Sequence, residues 1–421
     1  MSSTAIATSG EVSAPSGRSA LLSWLAVLSV TLGIFSIVTT EILPIGLLTS
    51  IGSSFTISDG MAGLMMTMPG FLAALSAPLV TVATRRIGRR LMLGAFVLLL
   101  ALANFLAAVA SSYWMVLVSR VMVGMTIGGF WSIGAGLAGR LVRAESVARA
   151  TSVIFAAVPL GSVVGVPLGT LIGDLAGWRT AFLVMGLFTV GVLVLLFLVL
   201  PPLPAAHTTR LHVLGDMFRS VNTRFALAIT FLGVLAHFGT YTYVAPFLER
   251  VTHVGSGHIT VFLLIYGVAG IVGNFLGGSS VARHPRGTFA AAAALIAGAT
   301  LLLPILGRWE LGAVALLIVW GVGYGAVPVC SQTWFSKASP EAPEASTVLF
   351  TASFQATLST GALVGGAVVD HTSPSTVMTT GGVAAVLMVL VVWVHHMRKV
   401  AWPETRQGVS TTPNSLEYEP S

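Results

Sequence analysis

Residues 161–174 read GSVVGVPLGTLIGD, and within them two glycines four residues apart are followed five residues later by an aspartate. The same spacing returns 196 residues further along, so the two sets are Gly165, Gly169, Asp174 and Gly361, Gly365, Asp370. Small residues four apart recur in any packed membrane helix, and one such match therefore carries little weight. The acid at the matching position is what makes the pair informative.

A second pair of glycines repeats at nearly the same offset. Gly124 and Gly128 are four residues apart, as are Gly321 and Gly325, and 197 residues separate the two pairs. Two matches at nearly the same offset predict that the chain is an internal duplication. Internal repeats with a binding site at their interface are typical of secondary transporters.

The composition excludes a water-exposed surface for most of the chain. Only 8% of the 421 residues are charged and 55% are hydrophobic, whereas a soluble domain carries about 25% charged residues. The dominance of apolar residues also excludes disordered and fibrous chains. Because Cys330 is the single cysteine, an intramolecular disulfide is impossible. The composition therefore predicts a protein whose solvent is the lipid bilayer.

Twelve apolar stretches are each long enough to cross a bilayer, which takes about 20 helical residues. Helices are predicted because these runs are long and continuous, unlike the short alternating segments of a membrane β-barrel. The predicted spans are residues 22–48, 59–83, 91–111, 113–139, 147–174, 180–201, 223–247, 258–282, 288–307, 309–335, 345–370 and 375–397. The predicted fold class is an all-α membrane protein with twelve transmembrane helices in two pseudo-symmetric six-helix bundles.

Polar segments divide these spans into two halves. The longest internal one begins with Pro201, Pro202 and Pro204 and then becomes basic, which marks a boundary. The first apolar run is too long for a cleaved signal peptide, so we expect it to be retained. The expected regions are a disordered cytoplasmic tail (1–20), an N-terminal six-helix bundle (21–201), a cytoplasmic linker (202–222), a C-terminal six-helix bundle (223–398) and a cytoplasmic tail (399–421).

The basic residues sort to one side of the predicted bundle. With the N-terminus in the cytoplasm, 17 of the 21 bases fall in cytoplasmic segments, three fall outside (Arg179, Arg250 and Arg308), and Arg120 lies within a span. This asymmetry follows the positive-inside rule. We therefore expect a multi-pass protein of the bacterial inner membrane with both termini in the cytoplasm. The formal net charge of +7 is then a topology signal, and no nucleic-acid partner is expected.

Two charged residues lie well inside predicted spans, where charge is costly and marks functional sites. Glu41 in span one and Arg120 in span four both lie about 10 Å below the outer surface, at 1.5 Å per helical residue. We predict that Glu41 is the proton-coupling carboxyl and that Arg120 is its charge partner or a substrate ligand. The alternatives are that Glu41 snorkels to the outer interface, or that the two residues form only a structural clamp.

Polar residues at helical spacing form one stripe on span one, beside Glu41, and another on span seven, its counterpart in the repeat. The second stripe contains His237, the only one of nine histidines predicted to lie deep in a span. Two such stripes predict two helices that face a wet cavity. His237 is therefore a third candidate for proton coupling, and an interhelical hydrogen bond is its alternative role.

Other polar and aromatic residues at membrane depth are candidates for a substrate cavity, and they are Asn104, Trp131, Tyr241, Asn274, Gln332 and Gln355. Together they could bind a flat or polyhydroxyl solute by stacking and hydrogen bonding, although each alone is more typical of helix packing or an interfacial belt. The sequence shows no metal cluster, phosphate-binding glycine loop or nucleophile–base arrangement. We therefore expect no enzymatic activity, catalytic residue, metal or cofactor, and a small-molecule substrate, protons and membrane lipid as partners.

With these residues in view, the chain resembles the major facilitator superfamily over nearly all of its length apart from the two tails. The segment after span two, with Arg85, Gly88 and Arg89, resembles that family's cytoplasmic signature loop, but Arg85 stands where the family usually has Asp. Arg120 followed by Gly124 resembles the span-four signature. Span five resembles the antiporter signature, with its proline one place late, through Gly161, Gly165, Pro167 and Gly169.

The drug:proton antiporter branch is the most similar, because Trp178 and Arg179 also match its pattern. Within this branch, Thr40-Glu41, residues 128–131 and Val327-Pro328 resemble bacterial purine ribonucleoside efflux pumps, and sugar and chloramphenicol efflux proteins share several of these features. The resemblance implies a monomer that exports a small solute in exchange for protons by alternating access. An importer of the same architecture and a non-transporting membrane sensor or enzyme are the alternatives.

Overall fold

The computed structural model describes residues 19–83, 87–134, 137–203, 217, 219–281, 283–338 and 343–397. Within these ranges the chain is almost entirely helical and contains no strand, which confirms the all-α prediction. Twelve helices in this part of the chain are long and apolar enough to cross a bilayer, so the protein is a multi-pass membrane protein. The predictions for Arg85, for the two tails and for most of the linker concern residues outside the described set.

The spanning helices are named α1 to α12 in chain order. α5 consists of three consecutive segments, and the middle one is a short π-helix. The helices are Ala20–Ile42 (α1), Asp59–Ala83 (α2), Arg89–Ala108 (α3), Tyr113–Gly134 (α4), Val147–Leu160 with Gly161–Gly165 and Val166–Ala176 (α5), Trp178–Val199 (α6), Val221–Tyr241 (α7), Ser256–Val281 (α8), Pro285–Leu306 (α9), Glu310–Ala338 (α10), Pro343–His371 (α11) and Pro374–Met397 (α12). Short helices follow α1 (Pro44–Phe55), α4 (Ala138–Leu141) and α7 (Val244–Arg250).

Two of the predicted spans are broken near one end. α1 ends at Ile42, and Pro44 begins the next helix; α7 ends at Tyr241, and a short helix begins at Val244. Proline lacks a backbone N–H and has a fixed φ, so it fits the first position of a new helix better than a helix interior. The two breaks occupy equivalent positions in the two halves. The break after Ile42 places Glu41 in the last turn of α1.

Helix packing repeats between the halves. In the N-terminal half, α1 packs on α5 and α6, α2 on α4, and α3 on α4 and α6. In the C-terminal half, α7 packs on α11 and α12, α8 on α10, and α9 on α10 and α12. These sets coincide when six is added to each helix number, so the predicted pseudo-symmetric pair of six-helix bundles is confirmed.

The repeated glycines make equivalent close contacts. Gly165 of α5 lies against α1, and Gly361 of α11 lies against α7. Gly128 of α4 lies against α2, and Gly325 of α10 lies against α8. A Cβ atom at any of the four would come within 3.0 Å of the neighbouring helix. Small residues let membrane helices approach this closely, which is the physical reason for the spacing in the sequence.

The bundle has two distinct ends. At one end the backbone N–H of Arg89, next to Gly88, donates to the carbonyl oxygen of Leu203 at 2.9 Å; we call this end the linker face. The opposite end, which holds Asp59 and Arg250, is the far face. The halves meet where α2 packs along α11 and where α5 packs against α8.

Candidate functional site

Glu41 is buried at the junction of the two halves. Its side chain is 6% exposed, although it belongs to the last turn of α1. The Gln355 side chain of α11 lies near its carboxyl, and the Tyr324 phenol of α10 lies near the same charge. Among the described residues, Glu41 Oε1 has no hydrogen-bond partner. The N-terminal half therefore supplies the carboxyl, and the C-terminal half supplies these two neighbours.

Arg120 of α4 is fully buried beside this carboxyl. Its Nη1 donates to the carbonyl oxygen of Thr40 at 2.8 Å, and its guanidinium lies over the Phe182 ring, 4.9 Å from the centroid. Its Nε and Nη2 atoms have no hydrogen-bond partner in the ranges that the structure describes. Glu41 and Arg120 are near enough to interact electrostatically, but no ion pair within 4.0 Å joins them in the described part of the chain. One nitrogen of the Arg120 guanidinium is thus held by the backbone of Thr40, and the N–H groups of the other two nitrogens remain available to a ligand.

Asn104 ties α3 to the end of α1. Its side chain is fully buried, and its Nδ2 donates to Thr40 Oγ1 at 3.1 Å and to the carbonyl oxygen of Leu100 at 3.0 Å. Thr40 is therefore held by Asn104 through its hydroxyl and by Arg120 through its carbonyl. Asn104 is therefore buried and holds the residue before Glu41, and it does not line an open surface.

An aromatic cluster of the C-terminal half lies next to Glu41; its members are His237, Tyr241, Tyr266, Trp320 and Tyr324. His237 stacks on Tyr324 and on Tyr241, with a centroid distance of 4.9 Å to the latter. Tyr241 stacks on Tyr266 at 4.4 Å, and the Tyr266 hydroxyl lies 3.4 Å from His237 Nδ1. This is the kind of interhelical contact that was the alternative role for His237. Tyr266 was not among the candidates from the sequence.

Several buried hydrogen-bonding atoms of Glu41, its neighbours and the aromatic cluster have no partner in the described part of the chain. Glu41 Oε1 and Gln355 Oε1 are acceptors without a donor, while Arg120 Nε, Arg120 Nη2 and Trp320 Nε1 are donors without an acceptor. Roughly nine in ten buried polar atoms in proteins have a partner. A concentration of both donors and acceptors at one buried place therefore points to a ligand or to a second conformation of the helices.

The other predicted cavity residues lie closer to the linker face. Trp131 is about 16 Å beyond Arg120 along α4, at 1.5 Å per residue. By the same rise, Asn274 and Gln332 are each about 12 Å from the aromatic cluster along α8 and α10. All three side chains are half-buried. The structure therefore separates them from the group formed by Glu41, Arg120, Gln355 and the aromatic cluster.

The signature residues of α5 position α1. A Cβ atom at Gly161, Gly165 or Gly169 would lie 3.0, 2.6 or 1.7 Å from side chains of residues 38, 39 and 43, respectively. Pro167 lies just after the π-helix, at the start of the last segment of α5. Short π-helical insertions are rare and often accompany functional sites. In this structure the segment keeps α5 tightly against the end of α1 that carries Glu41.

Trp178 and Arg179 secure the far face within the N-terminal half. The Trp178 indole donates to Ser54 Oγ at 3.0 Å. Arg179 donates to the carbonyl oxygen of Ala110 from Nε at 3.3 Å and from Nη2 at 2.9 Å. Gly177, just before them, has φ of +86°, a conformation that other residues rarely adopt. These residues therefore have structural contacts and do not touch the Glu41 site.

The two halves are joined across the far face by a set of contacts that we call the far-face latch: Ser58, Asp59, Gly60, Arg250 and Asp370. Asp370, at the end of α11, accepts hydrogen bonds from Ser58 Oγ at 2.6 Å and from the Gly60 N–H at 2.8 Å. Arg250 pairs with Asp59 at 2.6 Å. A carboxylate is favourable at the start of a helix because free N–H groups and the positive end of the helix dipole lie there.

Close backbone packing seals the same region. A Cβ atom at Gly60 would lie 2.5 Å from the carbonyl oxygen of Gly366. The Tyr243 hydroxyl donates to the carbonyl oxygen of Ala362 at 2.7 Å and would lie 2.0 Å from a Cβ atom at Gly63. α2 and α11 therefore touch directly at Gly60 and Gly366, the Tyr243 side chain fills the space beside this contact, and the far face is closed where they cross.

The repeat places a second acid at the equivalent crossing. Asp174, the counterpart of Asp370, lies at the far-face end of α5 and faces the start of α8. The Thr260 hydroxyl lies near its carboxyl but outside hydrogen-bond geometry. Each of the two aspartates in the repeated spacing thus lies at one crossing of the halves. Asp370, at the crossing of α2 and α11, accepts hydrogen bonds from the opposite half.

Comparison with known proteins agrees with this architecture. The sequence profile of the Major Facilitator Superfamily matches residues 28–355. The chain is similar to a bacterial homologue of the human lysosomal transporter Spinster, solved in an inward-facing and occupied conformation, with a TM-score of 0.70, 16% identity, and coverage of 90% of this chain and 98% of that one. It is also similar to the peptide transporter POT in complex with sulfate, with a TM-score of 0.73, 13% identity, and coverage of 92% and 97%.

At these identities the likeness shows a shared fold. The fold and the matched family are those of transporters rather than enzymes. A transporter of this kind binds a small-molecule substrate. Because the family profile covers more than half of the sequence, the chain belongs to the major facilitator superfamily.

Proposed function

We propose that the protein is a proton-coupled secondary transporter that exports a small, flat solute by alternating access, with Glu41 as the proton site. The position of Glu41 carries this proposal, because a buried carboxyl of one half is contacted by the other half. Among the described residues, the other buried carboxyl is Asp59, which is already paired with Arg250. Within the part of the chain that the structure describes, Glu41 has no such ion pair, so its carboxyl is available to exchange a proton.

Protonation of Glu41 changes what its side chain can offer to Gln355. An ionised carboxylate only accepts hydrogen bonds, whereas a neutral carboxyl also donates one. Because Gln355 belongs to α11, that change alters a contact between the two halves. A proton can therefore favour one arrangement of the halves over the other, which is the differential interaction that coupling requires.

The same site has the features of a binding site for a flat solute with polar edges. The unused donors of Arg120 and Trp320 and the unused acceptors of Glu41 and Gln355 match a ligand that carries both kinds of group. The aromatic cluster offers rings for stacking. A purine ribonucleoside has a flat base, edge donors and acceptors, and a polyhydroxyl sugar, so it fits this chemistry better than a simple sugar does.

The orientation follows from the charges. We propose that the linker face lies in the cytoplasm of a bacterial cell, with the inner membrane around the bundle, because most of the bases belong to that face. Residues 21–201 and 223–398 are the two moving halves of a monomer. The closed crossing of α2 and α11 then seals the outside. Export is favoured by the resemblance of α5 to the antiporter signature.

Proton coupling supplies enough energy for this task. One elementary charge that crosses 100 mV is worth about 2.3 kcal/mol. At about 1.4 kcal/mol per tenfold change in concentration, one proton supports roughly a fiftyfold gradient of a neutral solute.

The substrate assignment is tested by counterflow in vesicles loaded with inosine, arabinose or chloramphenicol. We expect inosine to exchange, and Tyr324→Ala to raise its half-saturation concentration about tenfold, because stacking of a base on an aromatic ring is worth roughly 1–3 kcal/mol. Trp131→Ala, which removes an aromatic ring nearer the linker face, is the matched control and should leave this concentration unchanged. Exchange of arabinose alone, or equal effects of both variants, would contradict the assignment.

His237→Phe is expected to preserve proton coupling. A phenyl ring keeps the stacking with Tyr241 and Tyr324 but loses the contact with the Tyr266 hydroxyl. Since an interhelical hydrogen bond in a membrane is worth about 1 kcal/mol, we expect gradient-driven transport within about fivefold of the wild type and with the same pH profile. Loss of the pH-gradient dependence in this variant would instead make His237 a proton site.

A further inference from the structure

We propose that a groove between α9 and α12 at the linker face binds an anionic phospholipid. The groove is a cavity of about 550 Å³ lined by His284, just before α9, by Arg286 and Ala290 of α9, and by Val389, Val392 and Trp393 of α12. It lies within the C-terminal half and apart from the Glu41 site. The inference depends only on the protein being in a membrane, so it stands or falls independently of the proposed transport activity.

The end of the groove at the linker face carries basic groups that can bind an anion. Arg286 lies in the first turn of α9, a helix of 22 residues with Pro285 at its start. The start of a helix presents free N–H groups and the positive end of the helix dipole. His284 adds a second basic side chain, which is exposed. A phosphodiester bound here would receive charge-assisted hydrogen bonds from Arg286.

A buried polar group lies beside this basic end. His395 of α12 is 4% exposed and stacks on Phe225 of α7, with ring centroids 3.7 Å apart. Both of its ring nitrogens lack a hydrogen-bond partner among the described residues, and Arg286 is near enough to influence its charge. The basic end of the groove thus combines positive charge with unused hydrogen-bonding capacity.

The inner part of the groove is apolar and leads toward the membrane interior. Ala290 lies about one helical turn deeper than Arg286, and Val389 about one turn deeper than Trp393. Trp393 is 59% exposed at the level of Arg286, as is usual for tryptophan at a membrane interface. An acyl chain can follow Ala290, Val389 and Val392 while its phosphate stays at Arg286. A soluble anion would leave this apolar surface uncovered, so a lipid is the occupant that fits both ends.

The test is native mass spectrometry of the purified full-length protein, titrated with phosphatidylglycerol or with phosphatidylcholine of the same acyl chains. We expect phosphatidylglycerol to bind more tightly. Arg286→Gln should weaken its binding about fivefold, since a basic residue near a lipid surface contributes about 1 kcal/mol. Arg286→Lys should restore most of the affinity. Arg308→Gln, which removes an exposed arginine at the far face, should change nothing.

A second variant addresses the apolar part of the groove. Ala290→Leu fills the cavity without removing charge, and it too should weaken phosphatidylglycerol binding. Equal binding of the two lipids, or equal effects of Arg286→Gln and Arg308→Gln, would overturn the proposal. Displacement of the lipid by glycerol phosphate at similar concentration would also overturn it, because the site would then recognise a soluble anion.

Discussion

Gly60→Ala is expected to hold the far face open and to slow transport. The added Cβ would lie 2.5 Å from the carbonyl oxygen of Gly366 and 2.4 Å from a carboxylate oxygen of Asp370. The carbonyl oxygen of Gly366 belongs to the backbone, and the added Cβ is attached rigidly to the backbone of residue 60. No side-chain rotation can relieve this clash, so it is relieved only when α2 and α11 separate. Overpacking of this kind costs about 1–3 kcal/mol, which shifts the balance between closed and open states roughly 5- to 150-fold.

Labelling of a buried reporter cysteine measures this shift. In a Cys330→Ser background, Ser359→Cys places a thiol on α11 at a position that is 0% exposed in the closed structure. A membrane-impermeant maleimide added at the far face should label it faster when Gly60 is replaced by alanine. Gly298→Ala is the matched control, because a Cβ atom there meets no other atom within 4 Å. Unchanged labelling and transport in Gly60→Ala would show that this crossing is not the gate.

Glu41→Gln is expected to abolish proton-driven accumulation while solute exchange continues. Glutamine has the size of glutamate and can still hydrogen-bond to Gln355, but it cannot release a proton. In everted vesicles with an imposed proton-motive force of about 100 mV, accumulation should fall from as much as roughly fiftyfold to none, since that is the gradient one proton supports at this force. Counterflow needs no net proton movement and should persist.

Glu310→Gln is the control for Glu41→Gln. Glu310 begins α10 at the far face and is exposed, so its loss should leave accumulation intact. Persistent counterflow in Glu41→Gln shows that the variant is folded and inserted. Full pH-gradient-driven accumulation in Glu41→Gln would place the proton site elsewhere.

The features that depend on composition and spacing could be predicted from the sequence. Charge scarcity and run length gave the twelve spans, and the matched offsets of Gly165 and Gly361 indicated the repeat. Glu41 and Arg120 stood out because charge in a membrane span is costly. The repeated spacing also singled out Asp174 and Asp370, but their position at the two crossings of the halves and their partners became known only from the structure.

The contacts between distant helices could not be predicted, for a physical reason. A helix in a lipid-facing bundle is apolar on both its buried and its lipid-exposed sides, so its pattern does not reveal which side faces inward. The position of Gln355 beside Glu41 and that of Ser58 beside Asp370 depend on that facing. Tyr266 was missed for the same reason, and Trp131 was grouped with residues that lie far from it along the bundle.

The sign of solute-driven proton movement tests the central claim most directly. The purified protein is reconstituted into liposomes that contain a pH-sensitive dye, and the membrane potential is clamped with potassium and valinomycin. The solute that gives counterflow is then added outside. Antiport predicts that the interior becomes more alkaline as protons leave in exchange for solute, and that Glu41→Gln abolishes this change. Acidification of the interior would indicate an importer that carries both together, and no pH change during solute entry would contradict proton coupling.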